Sequence, residues 1–282
     1  MKVAIVGIGL IGGSMALDLK SAMDNVKIVG IDKNEQNLKK AKELQLIDEV
    51  ATLKDLKTVQ VVIISVPVDV SIKVLAQVLD HIGENTLVLD TGSTKEKICE
   101  SVKNHSKRRN YLAAHPIAGT EFSGPEAAIA QLYQNKTMIV CEVEKTAFKL
   151  QEIAFDIFQR LGMRIRYMDP HSHDKHIAYV SHLSHISAFM LGKTVLDKEK
   201  NEKDIFDLAG SGFASTVRLA KSSPAMWSPI FKQNKENVLE TLTEYIQNLN
   251  EFKNLMEQDD FEKLFEEMKN TNHIKKVLNG IN

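Results

Sequence analysis

Gly7-Ile8-Gly9-Leu10-Ile11-Gly12 constrains this chain more than any other segment. The spacing G-x-G-x-x-G is common in isolation. Here it follows the β-branched run Lys2–Val6 directly and leads into a helical stretch over residues 14–22, the setting that gives it meaning. Gly7 permits the tight turn, Gly9 lets the backbone approach a pyrophosphate, and Gly12 lets helix and strand pack closely. The free N–H groups of that helix end attract the anion, and Leu10 and Ile11 in the turn are cofactor-binding candidates with the glycines. The competing reading is a plain glycine turn between strand and helix.

Asp32 closes the next β-branched run, residues 26–31, twenty positions after Gly12. A carboxylate there accepts hydrogen bonds from both ribose hydroxyls of an adenosine half and repels a 2′-phosphate, which favours NAD over NADP. Asp32-Lys33-Asn34-Glu35 also has the form of a helix cap with a capping-box acid, and Lys33 adds a cation that tolerates some phosphate. Ser65-Val66-Pro67 and Asp90-Thr91-Gly92-Ser93 follow two further strands. Doubly wound sheets hold ligands at such strand ends, so Ser65, Pro67 and Thr91 join the cofactor-binding candidates.

Strands are expected at Lys2–Val6, 26–31, 61–65, 86–90, 111–114, Thr137–Cys141 and 163–168, alternating with helical stretches in a mostly parallel sheet. Val61-Val62-Ile63-Ile64 reads as a strand buried on both faces. An amphipathic helix covers 148–161 and stops at Gly162. After Asp169-Pro170, a capping acid followed by a first-turn proline, strand signal vanishes and a long helix is expected to about Leu196. Apolar residues then recur every three to four positions from Val238 to Met256, a stripe that asks for a partner helix. Phe261, Leu264, Phe265 and Met268 mark a shorter helix. The expected division is therefore 1–168, a Rossmann-type α/β domain with a doubly wound sheet, and 169–282, an all-helical domain.

Charge excludes some partners. Lys and Arg number 36 against 37 Asp and Glu, a net charge of −1, which leaves no basic surplus for coating nucleic acid. Cys99 and Cys141 are too few for a disulfide framework. No apolar stretch approaches the roughly 18 residues that span a bilayer, and the first strand starts without a targeting segment. A soluble, cytoplasmic protein is expected.

His115-Pro116 follows the strand at 111–114, and proline holds the residue before it extended, at the sheet's ligand-binding edge. An imidazole suits taking a hydroxyl proton while hydride leaves the same carbon; the alternative is a structural histidine. Ser93-Thr94-Lys95-Glu96 has capping-box form, and capping is compatible with substrate contact. His171, His173, His176, His182 and His185 invite a metal reading, but Asp174 is the only carboxylate between Pro170 and Leu196. The pattern favours anion or substrate contact, with ordinary helix packing as the alternative, and no metal is expected. Residues 208–235 contain no Asp or Glu, so Arg218 has no acid to pair with along its own helix. Its fork matches a carboxylate, unless an acid distant in sequence claims it.

Together these segments resemble the prephenate/arogenate dehydrogenases. The glycine turn with Gly13-Ser14, Asp90-Thr91-Gly92-Ser93-Thr94-Lys95 and His115-Pro116-Ile117-Ala118-Gly119-Thr120-Glu121-Phe122-Ser123-Gly124 carry the likeness. So do Ser181-His182-Leu183-Ser184-His185 and Arg218-Leu219-Ala220-Lys221-Ser222-Ser223-Pro224-Ala225-Met226-Trp227. The resemblance implies NAD-dependent oxidative decarboxylation of prephenate to 4-hydroxyphenylpyruvate, towards tyrosine. By the same implication His115 accepts the ring hydroxyl's proton, and Ser93 hydrogen-bonds that hydroxyl and His115. Arg218 holds a substrate carboxylate with His185 nearby, and Thr120 and Glu121 line the pocket. His173 and Trp227 match family positions, and the helical part supplies a homodimer interface. The chain departs from relatives at Ser215, where some have aspartate, and at Ser184, where many have proline. A stand-alone form without mutase or regulatory domain is expected. Other readings are arogenate oxidation, with Glu121 serving an ammonium, and a 3-hydroxyacid dehydrogenase, for which Lys175 and Lys193 are poorly placed. A non-catalytic NAD(H)-sensing module would not need His115, Ser93 and Arg218 together.

Overall fold

The computed structural model describes residues 1–202 and 204–280. It falls into two compact units, Met1–Lys235 and Glu236–Asn282.

The first unit is built on eight strands: β1 (Lys2–Val6), β2 (Lys27–Ile31), β3 (Glu49–Val50), β4 (Val61–Ile64), β5 (Leu87–Asp90), β6 (Tyr111–Pro116), β7 (Thr137–Cys141) and β8 (Arg164–Tyr167). They form one sheet in the order β3-β2-β1-β4-β5-β6-β7-β8. All neighbours are parallel except β6 and β7, where His115 pairs with Ile139. The order reverses between β1 and β4, the switch point where doubly wound sheets open a ligand crevice.

Successive side chains explain why helices cover both faces. Val3, Ile5, Val61, Ile63, Leu87 and Leu89 point to one core with Met15, Leu19 and Phe158. Ala4, Val6, Val62, Ile64 and Val88 point to the other with Leu75, Leu79 and Trp227. A strand buried on both faces has no polar side to show, which is the pattern of a parallel sheet.

The helices are α1 (Leu10–Ala22), α2 (Glu35–Glu43), α3 (Val68–His81), α4 (Glu96–Ser101), α5 (Phe148–Arg160), α6 (Pro170–Ile177), α7 (Leu183–Glu199), α8 (Ser211–Val217) and α9 (Pro224–Gln233). Helix α1 starts at Leu10, four residues earlier than expected. The long helix after Asp169 runs to Glu199 but is interrupted by a wide π turn, Ala178–His182, between α6 and α7. Asp169 caps α6 as expected, accepting the Ser172 N–H at 2.9 Å.

The second unit carries most of α10 (Lys235–Glu257), then α11 (Phe261–Thr271) and α12 (Ile274–Leu278). The expected stripe is present and open: Leu239, Ile246, Leu249, Phe252 and Met256 are all exposed. No helix among the described residues is long and apolar enough to cross a membrane.

Candidate active site

The glycine turn has the geometry its spacing requires. Gly7 has φ of +93°, and a Cβ there would lie 2.6 Å from the Ser65 carbonyl oxygen. A Cβ on Gly12 would lie 2.2 Å from the Gly7 oxygen, so strand and helix touch backbone to backbone. Beside Gly9 the space is open for 4 Å, and no side chain caps α1. That leaves uncapped N–H groups beside clear space, the fit a pyrophosphate needs. Ile11 is fixed from behind by Tyr133, whose hydroxyl donates to the Ile11 carbonyl at 2.6 Å.

Asp32 is not the cap of α2. Asn34 is, accepting the Gln36 N–H at 3.0 Å. The Asp32 carboxylate instead receives the Ile8 N–H at 2.9 Å and the Asn34 N–H at 2.8 Å, tying the end of β2 to the glycine turn. At the ends of β4 and β5 the Thr91 hydroxyl donates to Ser65 Oγ at 3.1 Å, and Pro67 starts α3. These candidates therefore share one rim of the sheet.

His115 is the last residue but one of β6, with its side chain buried. Its Nδ1 lies 2.8 Å from Nε2 of His173, whose Nδ1 lies 2.7 Å from Asp174 Oδ1. Burial first, then His173, Lys95 and His182, hold the His115 imidazole well below its usual pKa. A neutral imidazole at neutral pH is a competent proton acceptor.

Below it lies a fully buried charge cluster. Lys95 reaches the Asp90 carboxylate and donates to the Ala114 carbonyl at 2.8 Å. Asp90 also receives the Tyr111 hydroxyl at 2.7 Å and the Gly92 N–H at 2.9 Å. Ser93 sits half-buried in the same turn, with no hydrogen bond to its hydroxyl among the described residues. The structure corrects its capping role: the first N–H groups of α4 go to Asp174, far along the chain.

The histidine cluster divides. His171 and His176 are exposed, while His173 and His182 are buried. Burial takes His182 down to about 4 against the opposing pull of Asp174. Asn234 faces its Nδ1 at 3.2 Å, while its Nε2 and the Trp227 Nε1 are buried without a partner among the described residues. His185 stacks on Trp227 with ring centres 3.6 Å apart, and Trp227 meets His182 edge-on. His185 Nδ1 is 2.9 Å from the Ser181 carbonyl; burial, then the nearby Arg218, lower its pKa. No group of three or more His, Cys, Asp and Glu among the described residues is arranged to hold a metal ion.

Arg218 does find an acid distant in sequence: its guanidinium meets Glu121 at 3.4 Å, half exposed. Ser215 turns back on the Gly212 carbonyl and takes no part. Thr120 accepts the Phe122 N–H at 3.3 Å, which shapes the loop carrying Glu121. Ring contacts run from His182 through Trp227 to His185, the charge of Arg218 acts on His185 as that of His182 acts on His115, and Arg218 meets Glu121. Asp174, Lys95 and Asp90 had no role expected from sequence. Lys95 and Asp90 are close in sequence, but Asp174 meets the Lys95 and Glu96 N–H groups from too far along the chain for any spacing rule.

Comparison with known proteins fits this geometry. Residues 15–167 match the family model described as the prephenate dehydrogenase nucleotide-binding domain, and residues 169–270 match the prephenate dehydrogenase dimerization domain. The chain is 32% identical to a prephenate dehydrogenase of Bacillus subtilis, over 93% of this chain and 72% of that one. A crystal structure of prephenate dehydrogenase from Aquifex aeolicus, in complex with hydroxyphenyl propionate and NAD+, superposes with a TM-score of 0.90. That pair shares 34% identity over 98% of this chain and 97% of the other. The arogenate dehydrogenase of Synechocystis superposes at 0.77, with 27% identity over 98% and 99% of the two chains. With both of its segments matched in order, the chain belongs to the prephenate dehydrogenase family.

Proposed function

We propose that this protein is an NAD-dependent prephenate dehydrogenase, which converts prephenate to 4-hydroxyphenylpyruvate and carbon dioxide on the route to tyrosine. The observation that carries the reading is His115: buried near the ligand end of β6, its Nδ1 against His173, with burial favouring the uncharged ring. Family membership and the open phosphate cradle beside Gly9 support it.

Bound at the glycine turn, NAD supplies the hydride acceptor. Gly7, Gly9, Leu10, Ile11 and Gly12 would hold its pyrophosphate, Asp32 its adenosine ribose, and Ser65, Pro67 and Thr91 would line the path to the nicotinamide. His115 takes the proton of the ring hydroxyl while hydride leaves the same carbon, with Ser93 near that oxygen. Carbon dioxide departs from the opposite carbon, and the electron pair it leaves aromatises the ring. The proton returns from His115 to the phenol oxygen, so protons balance. Arg218 and His185 hold a carboxylate; Thr120 and Glu121 line the mouth, and His173 stands behind the base.

We assign the nucleotide-binding role to 1–168 and the substrate and dimerisation roles to 169–282, with a homodimer formed through the exposed stripe of α10. The test is absorbance of reduced nicotinamide on mixing protein, NAD and prephenate, run in parallel with arogenate. Turnover of arogenate alone moves the substrate to the amino form, with Glu121 against the ammonium. Failure with both overturns the reading.

A further inference from the structure

Asp174 has more to do than its position on α6 requires. It is buried, and both of its oxygens accept backbone N–H groups: Oδ1 from Lys95 at 2.7 Å and Oδ2 from Glu96 at 3.0 Å. Oδ1 also faces His173 Nδ1 at 2.7 Å. Its own backbone carbonyl accepts the Asn234 amide at 2.6 Å. The carboxylate is therefore fixed from three directions, and its oxygens are committed as acceptors.

That commitment fixes the hydrogens of two imidazoles. His173 meets an acceptor with its Nδ1, so Nδ1 carries hydrogen and the lone pair of a neutral His173 sits on Nε2. His115 Nδ1 lies 2.8 Å from that lone pair and must donate to it. The lone pair of His115 is then on Nε2, the nitrogen turned away from His173. This is the logic by which a buried carboxylate sets the tautomer of a catalytic histidine, extended by one ring.

We propose that Asp174 is a positioning residue with two linked tasks: through His173 it presents Nε2 of His115 as the proton acceptor, and through the N–H groups of Lys95 and Glu96 it holds the turn carrying Ser93 beside that acceptor. The inference rests on His115 being the base of the proposed reaction. It deepens that reading by naming what prepares the base.

The test uses the full chain with histidine side chains labelled with nitrogen-15, His115 being assigned by its loss in His115→Asn. The wild type should show His115 with a bare Nε2 and a hydrogen-bearing Nδ1, and Asp174→Ala should show the two nitrogens sharing the hydrogen. The reverse tautomer in the wild type, or an unchanged signal in Asp174→Ala, overturns the proposal. This readout needs no turnover, so it stands apart from failure of the proposed reaction.

Kinetics gives the second arm. Asp174→Asn keeps one acceptor oxygen for three N–H groups, and its turnover should fall about 100-fold, less than for a carboxylate in direct contact with the base. Asp174→Ala should fall further, with NAD affinity unchanged in both. The acid limb of kcat/KM should move to lower pH, because protonated His115 loses its acceptor once Asp174 no longer holds the lone pair of His173 on Nε2. Lys95 and His182, which also face that ring, and His173 remain in place. In a His115→Asn background, Asp174→Asn should cost far less than in the wild type, leaving only the part that acts through the turn of Ser93. An unmoved acid limb, or a full additional loss in that background, marks a purely structural role and overturns the proposal.

Discussion

Lys95→Met tests the buried charge cluster beneath the base. Lys95 and Asp90 are both fully buried, and the ammonium is the cation that touches this carboxylate. Methionine keeps much of the volume and removes the charge. Asp90 would keep the Tyr111 hydroxyl and the Gly92 N–H but hold an uncompensated charge in the interior. Breaking a buried pair from one side costs about 3–5 kcal/mol. At roughly 2–4 °C per kcal/mol for a unit of this size, the melting temperature should fall by about 6–20 °C. Lys95→Met/Asp90→Asn, which removes both charges, should recover part of that loss. The same substitution acts on the base. Lys95 helps hold His115 in its neutral form, so its removal raises the His115 pKa and moves the acid limb of kcat/KM to higher pH. Calorimetry and a pH–rate profile read the two effects separately. A variant that melts within about 2 °C of the wild type, well inside that predicted shift, refutes the electrostatic argument. So does an acid limb that moves down.

His115→Asn should lower kcat by about 10²–10⁴ while leaving NAD affinity intact; near-normal turnover removes His115 from the chemistry. Arg218→Ala should raise KM for prephenate about tenfold or more with a smaller effect on kcat, since a charge-assisted contact is worth about 1.5–3 kcal/mol. An unchanged KM leaves Arg218 a surface partner of Glu121. Asp32→Asn should weaken NAD and narrow its advantage over NADP, measured as the ratio of kcat/KM for the two cofactors; an unmoved ratio takes Asp32 off the ribose.

The parts of this molecule written locally were legible. Short β-branched runs locate most of the eight strands, because a strand buried on both faces leaves an apolar run between turn signals, while the largely exposed β8 is legible from its place after the Gly162 stop. The runs miss β3, two exposed residues that carry none. Helix α1 starts early because Gly12 and Gly13, poor helix formers, disguise its first turn. Ser93 carried the letter pattern of a cap, yet Asp174 does the capping, and no rule on a single segment could have found an acid 78 positions away. The partner of Arg218 was hidden in the same way, with Glu121 lying 97 residues back. Spacing therefore named the chemical groups, while long-range packing decided which of them meet.

The wide turn at Ala178–His182 has a consequence for the register of the whole histidine-bearing segment. In an unbroken α-helix, His173 and His182 are nine steps apart and would point in opposite directions, roughly 180° from each other. One residue absorbed by the bulge brings the separation nearer eight steps, about 80°. The bulge thus keeps two imidazoles, which an unbroken helix of the same sequence would set on opposite sides, turned towards a common cleft. Deleting one residue of the bulge other than His182 would leave a regular helix with the two rings still about 80° apart.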